Sequence, residues 1–128
     1  MVNAPMARNT AKSKRTRQHI LEVALPIFAK GGYSGASIRK IAGAADVNVA
    51  TLAYHFEDKD GLYDTVIERL YEELTAGMSD LDLATFTQLP QVVRWAWGFA
   101  RAHQDHIRLL IRHSLDHAER PRVLVERW

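Results

Sequence analysis

Tyr54, His55 and Lys59 place a phenol, an imidazole and an amine within one short stretch, DVNVATLAYHFEDKDGL, at residues 46–62. These groups are compatible with acid–base catalysis, with ligand binding or with binding to a polyanion. The other sequence motifs that an enzyme active site would need are absent. There is no phosphate-binding glycine loop, GGYSG does not fit the G-x-S-x-G elbow, and no carboxylate pair accompanies a nucleophile. We therefore expect no enzyme, no catalytic residue and no cofactor.

The charges of the chain favour a polyanion. Residues 1–45 carry eight Lys/Arg and one acidic residue, a net charge of +7, whereas the remainder carries nine and fourteen, a net charge of −5. A basic first third suggests a polyanionic partner at one end, and a solvated surface with a basic tail is the alternative. Side chains in this region that could enter a DNA minor groove or follow phosphates are Lys12, Lys14, Arg15 and Arg17.

The length and composition are those of a globular protein. The 128 residues are 47% apolar and 25% charged, enough for one domain, or for a small domain and part of another. The absence of cysteine excludes disulfides and thiolate metal sites. Apolar runs are too short to span a membrane, and the N-terminus lacks the apolar region of a secretory signal, so we expect a cytoplasmic protein.

Apolar spacing predicts an all-α protein, since no segment alternates with period two for long enough to form a strand. Pro26 is expected to kink the first helix or to weaken one of its hydrogen bonds. The residues predicted to cap later helices are Ser37, Asn48, Asp58 and Asp105. The predicted helices cover about residues 13–30, 38–45, 49–56, 59–76, 90–103 and 106–118, with a loop or short turn at 77–88.

Two short helices joined by a tight turn, after a longer helix, match the helix-turn-helix plan. Ala42 is small where the two helices must cross closely. Asp46 occupies the turn position that normally holds glycine, and aspartate tolerates left-handed backbone better than most residues. The plan turns one side of the second short helix outward, where it fits the major groove of B-DNA. That side consists of Asn48, Val49, Ala50, Thr51, Tyr54 and His55.

Three motifs follow one another in the first half of the chain: Phe28-Ala29-x-Gly31-Gly32-Tyr33, Ser37-Ile38-Arg39-x-Ile41-Ala42 and Val47-Asn48-x-x-Thr51-Leu52-x-Tyr54-His55-Phe56-x-x-Lys59. With these motifs in this order and spacing, residues from about 15 to 70 resemble the N-terminal domain of the tetracycline-repressor (TetR) family of bacterial transcriptional regulators. The resemblance implies a homodimer that binds palindromic operators in double-stranded DNA. It also implies release by a small-molecule effector, here unknown, bound in a helical C-terminal domain.

The resemblance also implies roles for single residues. Ser37 would bind a phosphate, and Arg39 would reach a base edge or a phosphate. Lys59 would clamp the DNA backbone. The positions implied to face bases are Val49, Ala50 and Thr51, and those implied to hold phosphates are Tyr54 and His55.

Three positions depart from the family's pattern. Ala53 stands where the family often has a tyrosine that contacts phosphate, so one anchor is absent. Val49 and Ala50 replace commoner polar or glycine choices, which leaves the operator open.

Large aromatic side chains mark the second half of the chain. Trp95 and Phe99 share one helix face, whereas Trp97 points to roughly the opposite side. One of these faces could line an apolar ligand pocket. Packing in the core of a helical bundle is the alternative.

Three histidines, His106, His113 and His117, fall on one face of the last predicted helix. Histidines four residues apart can share a metal ion. Ser114 follows His113, so no H-E-x-x-H motif is formed, and half-buried polar histidines are the alternative. These residues support a second hypothesis, a small-molecule or metal-sensing helical protein whose helix-turn-helix is non-functional.

The sequence predicts three regions. Residues 1–12 form a flexible basic arm, 13–57 form the DNA-binding domain, and 58–128 begin a helical regulatory domain. Because family members usually run longer, we expect either a truncated chain or a reduced domain, with dimerisation belonging to the full-length form.

Overall fold

A computed structural model describes residues 4–79 and 89–116, with side chains from Thr10 onward. The described residues form helices and no strand, which confirms the all-α prediction. The chain divides into two compact units, Met1–Val66 and Ile67–Trp128. The predicted loop at 77–88 and the predicted helix end near residue 118 lie mostly outside the described residues. The helices are α1 (Ala4–Gly35), α2 (Ile38–Ala44), α3 (Val49–Phe56), α4 (Lys59–Met78), α5 (Leu89–Ala102) and α6 (Gln104–Asp116).

Helix α1 begins at Ala4, well before the start predicted near residue 13. The segment predicted as a flexible arm is therefore helical from residue 4 onward. It lacks apolar periodicity, but alanine, lysine, arginine and methionine are all good helix formers. The Thr16 hydroxyl donates to the Lys12 carbonyl at 3.0 Å, a bond between successive helical turns.

The backbone of α1 is interrupted at Gly32 rather than at Pro26. Gly32 is the residue of α1 with non-helical dihedral angles (φ 71°, ψ −178°). It is also buried, so this position needs a residue that adopts positive φ without a side chain. Pro26 lies inside the helix without non-helical dihedral angles, and because proline has no backbone N–H, one intrahelical hydrogen bond is absent at this position, as expected.

The core of the first unit gathers the apolar faces of α1, α2, α3 and the beginning of α4. The Phe28 and Tyr63 rings meet edge-on with centroids 5.0 Å apart. Because the first turns of α4 contribute to this core, the unit ends at Val66, whereas the sequence placed the boundary after residue 57. The side chains of this unit at 0–2% exposure are Ile20, Ala24, Phe28, Ala29, Ile41, Ala42, Leu52, Leu62 and Val66.

The second unit has fewer buried side chains than the first among the described residues. Leu70 of α4 and Leu109 of α6 are inaccessible to solvent or nearly so, but α5 contributes no buried residue within its described length. Helix α6 begins at Gln104, so Asp105 lies in its first turn. The prediction that Asp105 caps this helix is therefore wrong. There Asp105 pairs with Arg108 at 3.6 Å. No helix in the described ranges combines the length and apolarity needed to cross a bilayer.

Candidate nucleic-acid interface

The two short helices begin at side-chain caps, as the sequence predicted. Ser37 Oγ accepts from the Lys40 backbone N–H at 3.1 Å. Asn48 Oδ1 accepts from the Thr51 N–H at 2.7 Å and from the Thr51 hydroxyl at 2.9 Å. Each cap satisfies a backbone donor that the first helical turn cannot use, which fixes where α2 and α3 begin.

The turn between α2 and α3 depends on Asp46. Its φ of 55° is in the left-handed region, as the sequence predicted for this position. Two successive backbone N–H groups in the turn, those of Asp46 and Val47, donate to carbonyl groups of α2. Asp46 N–H donates to the Gly43 carbonyl at 3.2 Å, and Val47 N–H donates to the Ala42 carbonyl at 3.0 Å. These bonds set the angle at which α3 leaves α2.

Helix α3 has one buried side and one exposed side. Leu52 and Phe56 are 1% and 4% exposed and anchor the helix in the core. On the other side, Tyr54 is 80% exposed and Val49 45% exposed. Of the outward row predicted from the sequence, Asn48, Val49, Ala50 and Tyr54 are exposed, whereas Thr51 and His55 are half-buried. Ala53 is exposed as well.

His55 is half-buried between the two sides of α3. Its ring meets the Tyr54 ring edge-on, with centroids 5.1 Å apart. Arg17 of α1 extends over the neighbouring Phe56 ring, with its guanidinium carbon 4.8 Å from the centroid. Burial, and secondarily the positive charge of Arg17, hold the pKa of His55 below its usual value of 6.5. The imidazole is consequently neutral near pH 7 in the free protein.

A tight turn at Glu57 joins α3 to α4. Glu57 has φ 64° and ψ −65°, and the Asp58 N–H donates to the Phe56 carbonyl at 2.8 Å across it, which makes a γ-turn. Such a turn is strained for a residue with a side chain. Asp58 caps α4, since its Oδ1 accepts from the Gly61 N–H at 2.8 Å. A Cβ at Gly61 would lie 2.1 Å from the Phe56 carbonyl oxygen, so only glycine fits there.

This turn brings Lys59 to the first residue of α4, where an aromatic ring holds it. Its ammonium lies 4.2 Å from the centroid of the Tyr33 ring. The Tyr33 hydroxyl in turn donates to the Asp60 carboxylate, which fixes the ring. A cation over a ring keeps its full charge, so Lys59 is both positioned and able to pair with a phosphate.

The other predicted contacts are less uniformly placed. Ser37 and Arg39 are exposed. Because Ser37 Oγ acts as an acceptor in its cap, its hydroxyl hydrogen can still donate to an external oxygen. Arg15 is also exposed, but its Nε donates to the Ala11 carbonyl of its own helix at 3.4 Å. The DNA-binding roles of all these residues remain predictions.

A groove of about 690 Å³ separates the N-terminal part of α1 from α3. The hydroxyl residues Thr10, Ser13 and Thr16 were not singled out from the sequence. Continuing the helical spacing backward from Ile20 places Ser13 and Thr16 on the same face of α1 as that buried residue, which is the signal that could have pointed to them. The residues that line the groove are Thr10, Lys12, Ser13, Lys14, Thr16, Thr51, Tyr54 and His55.

Known proteins share this arrangement. Residues 20–66 match the family described as bacterial regulatory proteins, tetR family. Residues 20–66 are a TetR-family domain. It is 34% identical over 102 residues to the probable HTH-type transcriptional regulator YttP of Bacillus subtilis, covering 76% of this chain and 49% of that protein. It is 30% identical over 107 residues to the HTH-type transcriptional repressor NicS of Pseudomonas putida, covering 81% of this chain and 50% of NicS.

A solved structure agrees with these relatives. The Streptomyces coelicolor protein SCO4942, named as a transcriptional regulator, superposes with a TM-score of 0.73 at 32% identity. The match covers 80% of this chain and 55% of SCO4942. The chain spans about half the length of the curated relatives it matches. Those relatives are named as regulators, not as enzymes.

In the second unit, four aromatic rings follow one another along α5 and into α6. Trp95 and Phe99 are stacked at 5.3 Å, Phe99 and His103 lie 4.6 Å apart, and His103 meets His106 edge-on at 4.8 Å. Trp95 also packs against the backbone of Gly77, since a Cβ there would lie 2.9 Å from its ring. We call these four residues, Trp95, Phe99, His103 and His106, the ring ladder.

The three residues predicted to line a ligand pocket therefore lie on two different sides of α5. Trp95 and Phe99 belong to the half-buried ring ladder, whereas Trp97 is 67% exposed on another side of α5. A role for either side in ligand binding remains a prediction.

The ring ladder ends at an ionic group. His106 Nε2 lies 3.0 Å from Glu73 Oε2, and Arg69 Nε donates to Glu73 Oε1 at 2.9 Å. Burial alone would raise the pKa of Glu73, but the Arg69 hydrogen bond and the positive charges of His106 and Arg69 outweigh it and lower that pKa.

The metal site considered for His106, His113 and His117 is not shown by the described residues. The described ranges contain no group of three or more histidine, aspartate or glutamate side chains placed to hold a metal ion. His106 pairs with Glu73. His113 lies on the same helix, and His117 lies outside the described residues.

Proposed function

We propose that the chain acts as a sequence-specific DNA-binding transcriptional regulator, a repressor, whose helix α3 enters the major groove. The observation that carries the proposal is the two-sided character of α3. Its apolar anchors Leu52 and Phe56 are buried in the core, while Val49 and Tyr54 on the opposite side are exposed. A capped helix projecting such a row matches the diameter of the major groove. The relatives named as transcriptional regulators and repressors support the same function.

Within this function the exposed residues divide by chemistry. Val49 and Ala50 offer small apolar surfaces suited to thymine methyl groups, and neither can donate a hydrogen bond from its side chain. Sequence readout therefore also uses polar groups at the edges of the row, Arg39 and the Asn48 amide. Phosphate contacts fix the register without reading bases. We assign them to Ser37, Tyr54, His55 and Lys59.

Fluorescence anisotropy with labelled duplexes tiling the DNA upstream of its own gene, beside a random-sequence duplex, tests the function. We expect one upstream duplex to bind much more tightly than the random one, because base contacts add to the common phosphate term. Affinity should fall linearly with the logarithm of salt concentration. Equal, weak binding to every duplex at all salt concentrations would contradict sequence-specific recognition.

The partners follow from the family. We expect a homodimer in the full-length form, a palindromic operator, a small-molecule effector and a cytoplasmic location. Two copies reading two half-sites about one helical turn apart give the affinity that a single half-site lacks. Analytical ultracentrifugation with and without operator DNA tests the stoichiometry. One protein chain per operator would contradict the dimer.

A second candidate function is small-molecule sensing by the second unit, with a helix-turn-helix that no longer binds DNA. The ring ladder favours it, because stacked and edge-on aromatic rings beside the Glu73 carboxylate suit a flat or cationic organic ligand. Tryptophan fluorescence during titration with hydrophobic cations and with zinc tests this function. A saturable change together with no DNA binding would favour sensing alone. Tight DNA binding with no response would remove it as the main function.

A further inference from the structure

The N-terminal part of α1 lies outside the region that matches the family. The match covers residues 20–66, whereas the helix continues back to Ala4. This extension faces α3 across the groove described above. One wall of the groove, α3, lies within the residues that match the family, and the other wall, the extension, lies outside them. Ser13 and Thr16 on the extension are half-buried, whereas Lys12 and Lys14 are exposed at the groove.

The groove is suited to anions. Its lining side chains carry hydroxyl, ammonium, phenol or imidazole groups and no carboxylate. The first acidic residue of the whole chain is Glu22, so no acidic side chain of the extension offsets the lysines. Arg17 adds its positive charge nearby, close enough to His55 to help lower the pKa of that imidazole.

The size and position of the groove favour a polymer over a single ion. Its volume of about 690 Å³ equals that of roughly twenty water molecules at ~30 Å³ each, of which one phosphate ion displaces only a few. Tyr54 and His55 line the groove and also belong to the outward row of α3. A nucleic-acid strand lying along α3 therefore passes directly into the groove.

We infer that the groove between the N-terminal extension of α1 and α3 is a phosphate-binding groove that holds the sugar–phosphate backbone of bound DNA, with Lys12 and Lys14 as its cationic contacts. The inference rests on the DNA-binding function proposed above. The extension acts as a rigid helical wall that follows phosphates, in contrast to a flexible arm that enters the minor groove. Its contacts strengthen binding to every sequence equally.

A charge-matched pair of double variants tests the inference. Lys12→Ala/Lys14→Ala removes two positive charges from the groove. Arg94→Ala/Arg101→Ala removes two from exposed positions on α5 in the second unit and serves as the control. Affinity for the best upstream duplex and for a random-sequence duplex is measured by anisotropy over a range of salt concentrations. Circular dichroism confirms that both variants keep their helices.

We expect the groove variant to bind both duplexes more weakly and its salt slope to be shallower by about 1.8, which corresponds to two lost phosphate contacts at ~0.9 each. The control should keep the wild-type slope. If wild-type protein binds DNA and the groove variant keeps the control's slope, the inference is wrong while the proposed function stands. If wild-type protein binds no DNA, both are wrong.

Calorimetric titration with inorganic phosphate at constant ionic strength separates DNA from a free anion as the occupant. We expect no saturable heat at millimolar phosphate. A saturable heat that is lost in Lys12→Ala/Lys14→Ala, together with an unchanged salt slope for DNA, would assign the groove to a free phosphate and overturn the assignment to DNA.

Discussion

Replacing Gly61 by alanine should destabilise the first unit and displace Lys59. A Cβ at this position would lie 2.1 Å from the Phe56 carbonyl oxygen and 3.3 Å from its carbon. A comfortable carbon–oxygen contact is about 3.3 Å, so the γ-turn and the start of α4 must separate by roughly 1 Å. The obstacle is backbone, which cannot rotate away as a flexible side chain would.

The cost follows from the bonds that such a separation stretches. The Asp58 N–H to Phe56 carbonyl bond and the Gly61 N–H to Asp58 carboxylate bond are both 2.8 Å long. Each contributes on the order of 1 kcal/mol, and the remaining overpacking strain costs ~1–3 kcal/mol. Alanine regains about 1 kcal/mol of helix propensity. We expect the free energy of unfolding to fall by roughly 2–4 kcal/mol, and Tm by roughly 10–20 °C.

Thermal and urea unfolding followed by circular dichroism measure this effect. Gly43→Ala on α2 is the matched control, because a Cβ there meets nothing within 4 Å. It should stabilise the protein by ~0.5–1 kcal/mol, as alanine does in regular helix. If Gly61→Ala is as stable as Gly43→Ala, the close approach of α4 to the Phe56 carbonyl is wrong, and so is the placement of Lys59 that depends on it.

Three further predictions concern single side chains. Lys59→Ala should weaken binding to all DNA sequences alike and make the salt slope shallower by about 0.9, measured by anisotropy; an unchanged slope would exclude a phosphate contact. Asn48→Ala removes the cap of α3 and should lower the free energy of unfolding in urea by ~0.5–2 kcal/mol; no loss would show that the cap contributes nothing. Burial and then Arg17 lower the pKa of folded His55 below its unfolded value of 6.5. Because the unfolded state then binds the proton more readily, Tm should fall as the pH drops through about 6.5 toward the folded pKa. The fall should be smaller in His55→Gln, and equal falls in both proteins would contradict this titration.

The sequence was most predictive where structure is local. Ser37, Asn48 and Asp58 each accept a hydrogen bond from a backbone N–H three residues later, so residue type and position alone identify them as caps. Asp46 in the left-handed region is a similar case, because the turn demands positive φ at one position. The division of α3 into buried and exposed sides follows from helical periodicity.

Features that depend on distant segments were not accessible in this way. The ring of Tyr33 under Lys59 and the Arg17 guanidinium over Phe56 join residues far apart in the chain. The N-terminal extension of α1 shows no apolar periodicity. Its helical state depends on the helix propensity of its residues, so a prediction from apolar spacing missed it. Asp105 was mistaken for a cap because the α5–α6 junction is a single residue, His103, whose carbonyl accepts the first bond of α6.

The central claim is that the exposed side of α3 reads DNA, and one substitution on that side tests it most directly. Ala50→Asp places a carboxylate against the DNA, and Ala96→Asp places the same group on an exposed position of α5. Both variants should fold as the wild type does. The account predicts that Ala50→Asp loses specific binding to the upstream duplex, by repulsion from the phosphates and bases, while Ala96→Asp retains it. Retention of wild-type specific affinity by Ala50→Asp would contradict the account.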